Sequence, residues 1–130
     1  MHNGFLRMFD TADSAFISAY RQHTYGDAFD IRVEYLSTPN LEDQTLILLD
    51  PMIATGKSMV LCYQSLLRFG TPKKVIICGI IASDEGIDHI LRVIPQARIF
   101  VAAIDKELTA KAYIVPGLGD AGDLAYGVKI

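Results

Sequence analysis

The chain has 130 residues, 51% hydrophobic and 21% charged, enough apolar material for one core and too little charge for disorder. A net charge of −3 and a pI near 5.5 exclude the basic face that a general nucleic-acid or anionic-membrane binder needs. No apolar run approaches the roughly 20 residues of a membrane span, and the opening MHNGFLRMFD lacks the charged and apolar regions of a secretory signal.

The expected compartment is therefore cytoplasmic, with neither nucleic acid nor membrane as partner. Cys62 and Cys78 sit in apolar contexts and match no metal spacing. Each reads as a small buried hydrophobe in a reducing environment.

Taken in order, Phe5, Met8 and Phe9 have the spacing of the inner face of a short helix ending near Asp10. Residues 15–20 (AFISAY) read as a strand, and the polar stretch 21–30, with Gly26 and no apolar period, as a loop. Residues 31–36 alternate Ile31, Val33 and Tyr35 against Arg32 and Glu34, the pattern of a half-exposed strand. Residues 37–44 form a turn around Pro39 and Asn40. The continuously apolar run 46–49 is expected to be a central parallel strand, buried on both faces.

From Ser58 onward Met59, Cys62, Tyr63, Leu66 and Leu67 fall at helical spacing, with Gly70 as the stop and Pro72 beyond it. Residues 75–82 (VIICGIIA) read as a second buried strand. Ser83 or Asp84 caps a helix whose inner face is Ile87, Ile90, Leu91 and Ile94, ended by Pro95. Residues 97–103 (ARIFVAA) read as a third buried strand, and residues 113–123 (YIVPGLGDAGD) as a brief strand and a glycine-rich loop. This alternation predicts an α/β fold: a doubly wound parallel sheet with right-handed crossovers, flanked by helices. Ligands of such sheets bind beyond the strands' carboxyl ends, where Asp50, residues 82–84, Asp105 and residues 119–123 all fall.

The most informative run is TLILLDPMIATGKS, residues 45–58. An apolar strand ends on an acid, and a loop of small residues opens a helix. The loop's N–H groups and the helix dipole attract a phosphate, beside a carboxylate suited to ribose hydroxyls or a hydrated metal. Gly56-Lys57-Ser58 also ends the phosphate loop of nucleotide triphosphatases, but that motif wants a glycine where Pro51 stands. Proline has no N–H to offer, and its fixed φ cannot make the left-handed turns. Taken alone, Asp50 would read as an acid near a helix N-terminus, and GLGDAGD as a tight turn.

Four apolar residues, an acid, then Ala54-Thr55-Gly56-x-Ser58 resemble the phosphoribosyl-diphosphate motif of type I phosphoribosyltransferases. The form Asp-Pro-Met-x-Ala-Thr-Gly-x-Ser is similar to that of the uracil phosphoribosyltransferases, and residues 113–123 resemble the uracil-recognition loop of the same family. Asp105 within AAIDKEL and the Tyr20-Arg21 pair also match, so the resemblance runs over essentially the whole chain.

It implies a type I phosphoribosyltransferase-like domain over residues 1–130, and transfer of phosphoribose to uracil, giving uridine monophosphate and diphosphate in pyrimidine salvage. Asp50 and Asp120 would be its catalytic acids. Asp50 would face the ribose hydroxyls. Asp50, Pro51, Met52 and Ile53 would line the phosphoribosyl diphosphate, and Ala54, Thr55, Gly56, Lys57 and Ser58 would enclose its 5-phosphate. Arg21 would reach the diphosphate from the loop after the first strand. Tyr113, Ile114, Gly119, Asp120 and Ala121 would form the uracil site, with Ile114 and Gly119 reading the base through main-chain groups. Asp120 would lie between base and ribose, through water or Mg²⁺.

The Mg²⁺ cofactor would be held mainly by phosphoribosyl diphosphate and water, so no metal ligands are expected from the protein. A homodimer or higher homo-oligomer is the family default, and GTP is an effector in some relatives. His2, His23 and His89 show no metal spacing and read as surface or capping residues.

Three departures stand out. Lys57 replaces a glycine common in the family, and Leu124 follows Asp123 where arginine is usual. The N-terminal portion of the family, with its Arg-Ala-Gly loop for the leaving diphosphate, has no counterpart, so the chain reads as the C-terminal portion of the full domain. The alternative function is a non-catalytic regulator that binds phosphoribosyl diphosphate or uridine monophosphate.

Overall fold

The computed structural model describes residues 1–23, 29–110, 112–119, 124, 125 and 127. Helix α1 (His2–Met8) precedes an antiparallel hairpin of β1 (Phe16–His23) and β2 (Phe29–Ser37), with a bulge between Ser18 and Ala19. The hairpin is longer than its apolar pattern suggested. Residues 21–23 and 29–30, expected in a loop, continue the ladder, so Arg21 lies in β1 opposite Ile31. The cross-strand ladder satisfies their backbone groups, and that requirement overrides the polar side chains.

A parallel sheet follows. Strands β3 (Thr45–Ile53), β4 (Lys74–Ser83) and β5 (Arg98–Phe100) pair in that order, and β6 (Ala103–Asp105) pairs with the same edge of β4. Helices α2 (Lys57–Leu66) and α3 (Asp84–Val93) make the crossovers. The two helices pack on each other and on the same core cluster against the sheet. The α/β fold expected from the alternation, a parallel sheet flanked by helices, is what the described residues form.

Three expectations change for related reasons. Strand β3 is not central: among the described residues it ends the sheet, and β4 is the central strand. Leu46 and Leu48 are buried toward the helices, while Ile47 and Leu49 are half-buried on the other face. Pro51 was a local sign of this, because a proline inside a strand belongs at an edge. Second, β3 does not stop on Asp50; it runs on to Ile53, pairing Met52 with Ile81 and Ile53 with Ala82 and leaving Pro51 without a rung. Third, residues 97–103 are not one buried strand. The run breaks at Val101 and Ala102, where the Ala102 N–H still donates to the Ile80 carbonyl at 3.1 Å, and Phe100 and Ile104 are exposed.

The core is a single cluster between sheet and helices. Leu46, Leu48, Ile53, Val75, Ile77 and Ala82 from the strands meet Met59, Val60, Tyr63 and Leu66 of α2, together with Ile90 and Ile94. Ile87 packs at its edge, whereas Leu67 and Leu91, expected on inner faces, are exposed. Helix α2 tightens into a 3-10 turn at Leu67–Phe69 and stops at Gly70, whose φ of +122° has the predicted glycine character. Strands β7 (Glu107–Leu108) and β8 (Ile114–Val115) form a short antiparallel pair that carries the tail.

Candidate functional site

The candidate site residues gather where the parallel strands end. After Ile53 the chain makes a three-residue turn, Ala54-Thr55-Gly56, and enters α2. Gly56 is the N-cap of that helix at φ +69°, a conformation that costs a side-chain-bearing residue energy. Gly56 has no side chain with which to cap α2, and the Lys57 amide at the start of the helix turns back to the Thr55 hydroxyl. The amides of that first turn, and the positive end of the helix dipole, make the turn an anion cradle.

The turn is held from behind by the start of α3. Ser83 is fully buried; its hydroxyl donates to the Ala54 carbonyl at 2.5 Å and accepts from the Gly86 N–H at 2.9 Å. Gly86 packs so closely that a Cβ there would run into the Ala54 carbonyl oxygen, and one on Gly56 would lie 2.6 Å from the Gly86 oxygen. Ser83 was legible as a cap; its hold on Ala54, 29 residues away, was not. The only signal was the smallness of residues 83 and 86. Replacing Ser83 with alanine removes a cap and strands a buried carbonyl, an expected loss of about 2 kcal/mol. A urea midpoint that stays in place would refute it.

Asp50 stands half-buried in β3, one Oδ accepting from the Met52 N–H at 3.0 Å. Burial raises its pKa above the ordinary carboxylate value, and the Met52 bond pulls part of the way back. On α2 the Cys62 thiol is pushed up to about 11 by burial and then by the Asp50 charge, so it stays protonated at neutral pH and supplies no nucleophile.

Of the remaining residues expected to line the phosphoribosyl group, Pro51 and Lys57 are exposed and Met52, Thr55 and Ser58 half-buried. The Ile53 side chain is core and Ala54 is buried, which leaves them main-chain groups for a ligand. The Lys57 N–H lies 3.5 Å from the Thr55 hydroxyl. Arg21 belongs to β1 by its backbone; its side chain, with Asp120 and Ala121, lies outside the described residues.

The second loop begins at β8. Tyr113 is half-buried, and its backbone is clasped to Thr109 through N–H to Oγ1 at 3.1 Å and carbonyl to N–H at 2.8 Å. Ile114 is buried in the interior. After the cis Val115–Pro116 bond, Gly117 at φ +42° donates its N–H to an Asp105 carboxylate oxygen at 3.0 Å. Gly119 is exposed at φ +79°, with nothing within 4 Å of where its Cβ would stand.

Ser83 and Asp105 are partners on the same rung of the β4–β6 ladder. Ala54 is therefore tied to Ser83, Ser83 to Asp105, and Asp105 to Gly117. Both turns hang from one rim of one sheet.

The family model for uracil phosphoribosyltransferase matches residues 1–128. The chain belongs to the uracil phosphoribosyltransferase family. It is 51% identical over 130 residues to the uracil phosphoribosyltransferase of Porphyromonas gingivalis, covering 99% of this chain and 60% of that one. It is 41% identical over 128 residues to the uracil phosphoribosyltransferase of Thermococcus gammatolerans, covering 98% and 56%. Among solved structures it resembles the AQ2163 protein of Aquifex aeolicus, with a TM-score of 0.89 at 32% identity, over 100% of this chain and 61% of that one. The chain thus spans about three-fifths of the length of these uracil phosphoribosyltransferase relatives. No helix among the described residues is long and apolar enough to cross a membrane.

Proposed function

We propose that this chain carries the phosphoribosyl and pyrimidine sites of a uracil phosphoribosyltransferase, joining uracil to phosphoribosyl diphosphate to give uridine monophosphate and diphosphate. The observation that supports it best is the Ala54–Ser83–Asp105–Gly117 chain of contacts, which keeps an anion cradle and an open glycine turn on one rim. A ribose 5-phosphate bridges two such turns; an unrelated α/β domain has no need to tie them.

In this reading the 54–58 amides and the Thr55 and Ser58 hydroxyls take the 5-phosphate, and Asp50 accepts from the ribose hydroxyls. The main chain at Ile114 and Gly119 reads the alternating carbonyl and N–H edge of uracil, with Tyr113 and Ala121 at the sides of that slot. Cytosine presents a donor where uracil presents an acceptor, and each unpaired group costs about 1–3 kcal/mol. Asp120 holds the junction of base and sugar, and Arg21 meets the diphosphate.

The ribose C1–O bond breaks first, its electron pair leaving with diphosphate, and N1 of uracil closes on an oxocarbenium-like carbon while its proton passes through water to the departing diphosphate. No protein nucleophile is required, which agrees with the protonated Cys62. The chain's contribution is alignment of the two reactants and exclusion of water, effects worth several kcal/mol.

Among the described residues no three His, Cys, Asp or Glu side chains group into a metal cage, and one Asp50 oxygen is already engaged by Met52. That donor set fits a Mg²⁺ carried by diphosphate oxygens and water, with Asp50 or Asp120 as at most an outer contact. When bound, it would neutralise charge on the leaving diphosphate. A homo-oligomeric state, GTP as effector and a cytoplasmic location complete the reading.

The test is incubation of the protein with labelled uracil, phosphoribosyl diphosphate and Mg²⁺. Labelled uridine monophosphate is expected. Donor binding without product would favour a regulatory protein instead. Gly119→Val is expected to remove most of the turnover, because a β-branched residue resists φ +79° and fills the open face; the same strain should lower stability by about 1–3 kcal/mol while the protein still folds. Uracil use at the parental rate by this variant would overturn the placement of the base.

A further inference from the structure

Asp105 is the last residue of β6, half-buried, with its backbone on the rung opposite Ser83. Its carboxylate accepts the Gly117 N–H, twelve residues on, at 3.0 Å. Gly117 cannot be moved without consequence: its φ is +42°, and a Cβ there would collide with the Ile114 carbonyl oxygen. Pro116 has no N–H of its own, so the Gly117 amide is the first donor after β8 that can fasten the turn. On one side the turn is nailed down by the buried Ile114 side chain; on the other it ends at the exposed Gly119.

We propose that Asp105 is a specificity-determining positioning residue: it sets the pyrimidine half of the site by pinning the Gly117 amide, and does not itself touch the base. This rests on the uracil phosphoribosyltransferase reading above. Main-chain recognition is only as selective as the backbone is rigid, because a carbonyl or N–H that can swing accommodates a donor in place of an acceptor. A carboxylate suits the task, since it accepts strongly from an amide and keeps a second oxygen for water or a neighbouring donor. The phosphate turn has its own fastening at Ser83, so loosening Asp105 leaves the sugar-phosphate half in place.

The test titrates the unmodified protein, Asp105→Ala and Asp105→Asn with uridine monophosphate, cytidine monophosphate and ribose 5-phosphate by calorimetry. Asp105→Ala is expected to weaken uridine monophosphate, and to narrow its preference over cytidine monophosphate, by about tenfold, leaving ribose 5-phosphate within about twofold. Asp105→Asn keeps an acceptor oxygen and should return the uridine nucleotide to within about threefold of the parent. Equal losses for the uridine nucleotide and ribose 5-phosphate would mark a merely structural residue and overturn the proposal, as would parental binding by Asp105→Ala.

A second measurement needs no variant. In the unmodified protein the Gly117 amide should exchange with solvent more slowly than the Gly119 amide, and equal rates would overturn the anchor. Failure of the underlying reading looks different: the unmodified protein itself would show no preference for the uridine nucleotide, and the proposal would fall with it.

Discussion

Gly86→Ala should destabilise this protein, although alanine in a helix ordinarily stabilises. Helix propensity alone favours the substitution by about 1 kcal/mol. Against that, a Cβ at residue 86 would run into the Ala54 carbonyl oxygen and lie 3.2 Å from the Ile53 oxygen. These are backbone atoms, Ile53 fixed by its rung with Ala82 and Ala54 by the Ser83 hydroxyl, so neither can turn aside. Relief requires α3 to back away from the 54–56 turn, which opens the core at Ile90 and breaks the Ser83 bonds.

Overpacking of this kind costs about 1–3 kcal/mol and the broken bonds add to it, so a net loss of about 2–3 kcal/mol is expected. Chemical unfolding of parent and variant decides the matter. Ribose 5-phosphate affinity should fall with it, since the displaced turn is the proposed phosphate cradle. A variant more stable than the parent would show that the contact between α3 and the turn is not tight.

The second large effect is at Asp50, where stability and function should move in opposite directions. Burial holds its pKa above the ordinary 3.8. The folded protein therefore binds this proton more tightly than the unfolded chain does. Its contribution to stability is full below pH 3.8 and is lost as pH rises through that value and the higher folded one. At neutral pH the buried charge is a cost that asparagine relieves, while its amide oxygen keeps the Met52 bond.

Asp50→Asn is thus expected to be more stable than the parent at pH 7, with a flatter stability profile on the alkaline side of pH 3.8. Turnover should fall by about 10²-fold or more, because hydrogen bonds from two ribose hydroxyls to a carboxylate are worth about 1.5–3 kcal/mol each. Such a trade is the signature of a residue kept for binding rather than folding. If the variant were less stable at pH 7, the burial argument would fail; if it turned over normally, the ribose assignment would. The Cys62 thiol supplies an internal check, since removing the Asp50 charge should bring its pKa down from about 11.

What was legible and what was not divides along particular residues. The turn at 54–56, the Ser83 cap, the Gly70 stop and the brief strand at Ile114 were all readable, because each depends on a few neighbouring residues. The length of the hairpin was not, since the ladder between β1 and β2 satisfies polar residues that carry no apolar period. The apolar run 46–49 suggested a central strand. A hydrophobic stretch reports how much burial it can accept and not how many neighbours it receives, and among the described residues β3 has one. The break at Val101 and Ala102 was likewise invisible, because those residues are as apolar as the strands on either side.

Within the candidate site, sequence supplied the residue types at the rim and a family resemblance supplied roles for them. It could not supply the fastenings. Ser83 reaches Ala54 across 29 residues, and Asp105 reaches Gly117 across 12. By itself, then, the sequence determined local features: where most segments extend, where a helix begins and where a glycine stops one. Only the tertiary structure decided that β3 ends the sheet among the described residues, that the two helices pack on each other, and that two turns far apart in the chain hang from one rung. The reason is one of range. Backbone preference and side-chain period act over a few residues, whereas edge position and hydrogen bonds across the sheet arise only once distant segments have met.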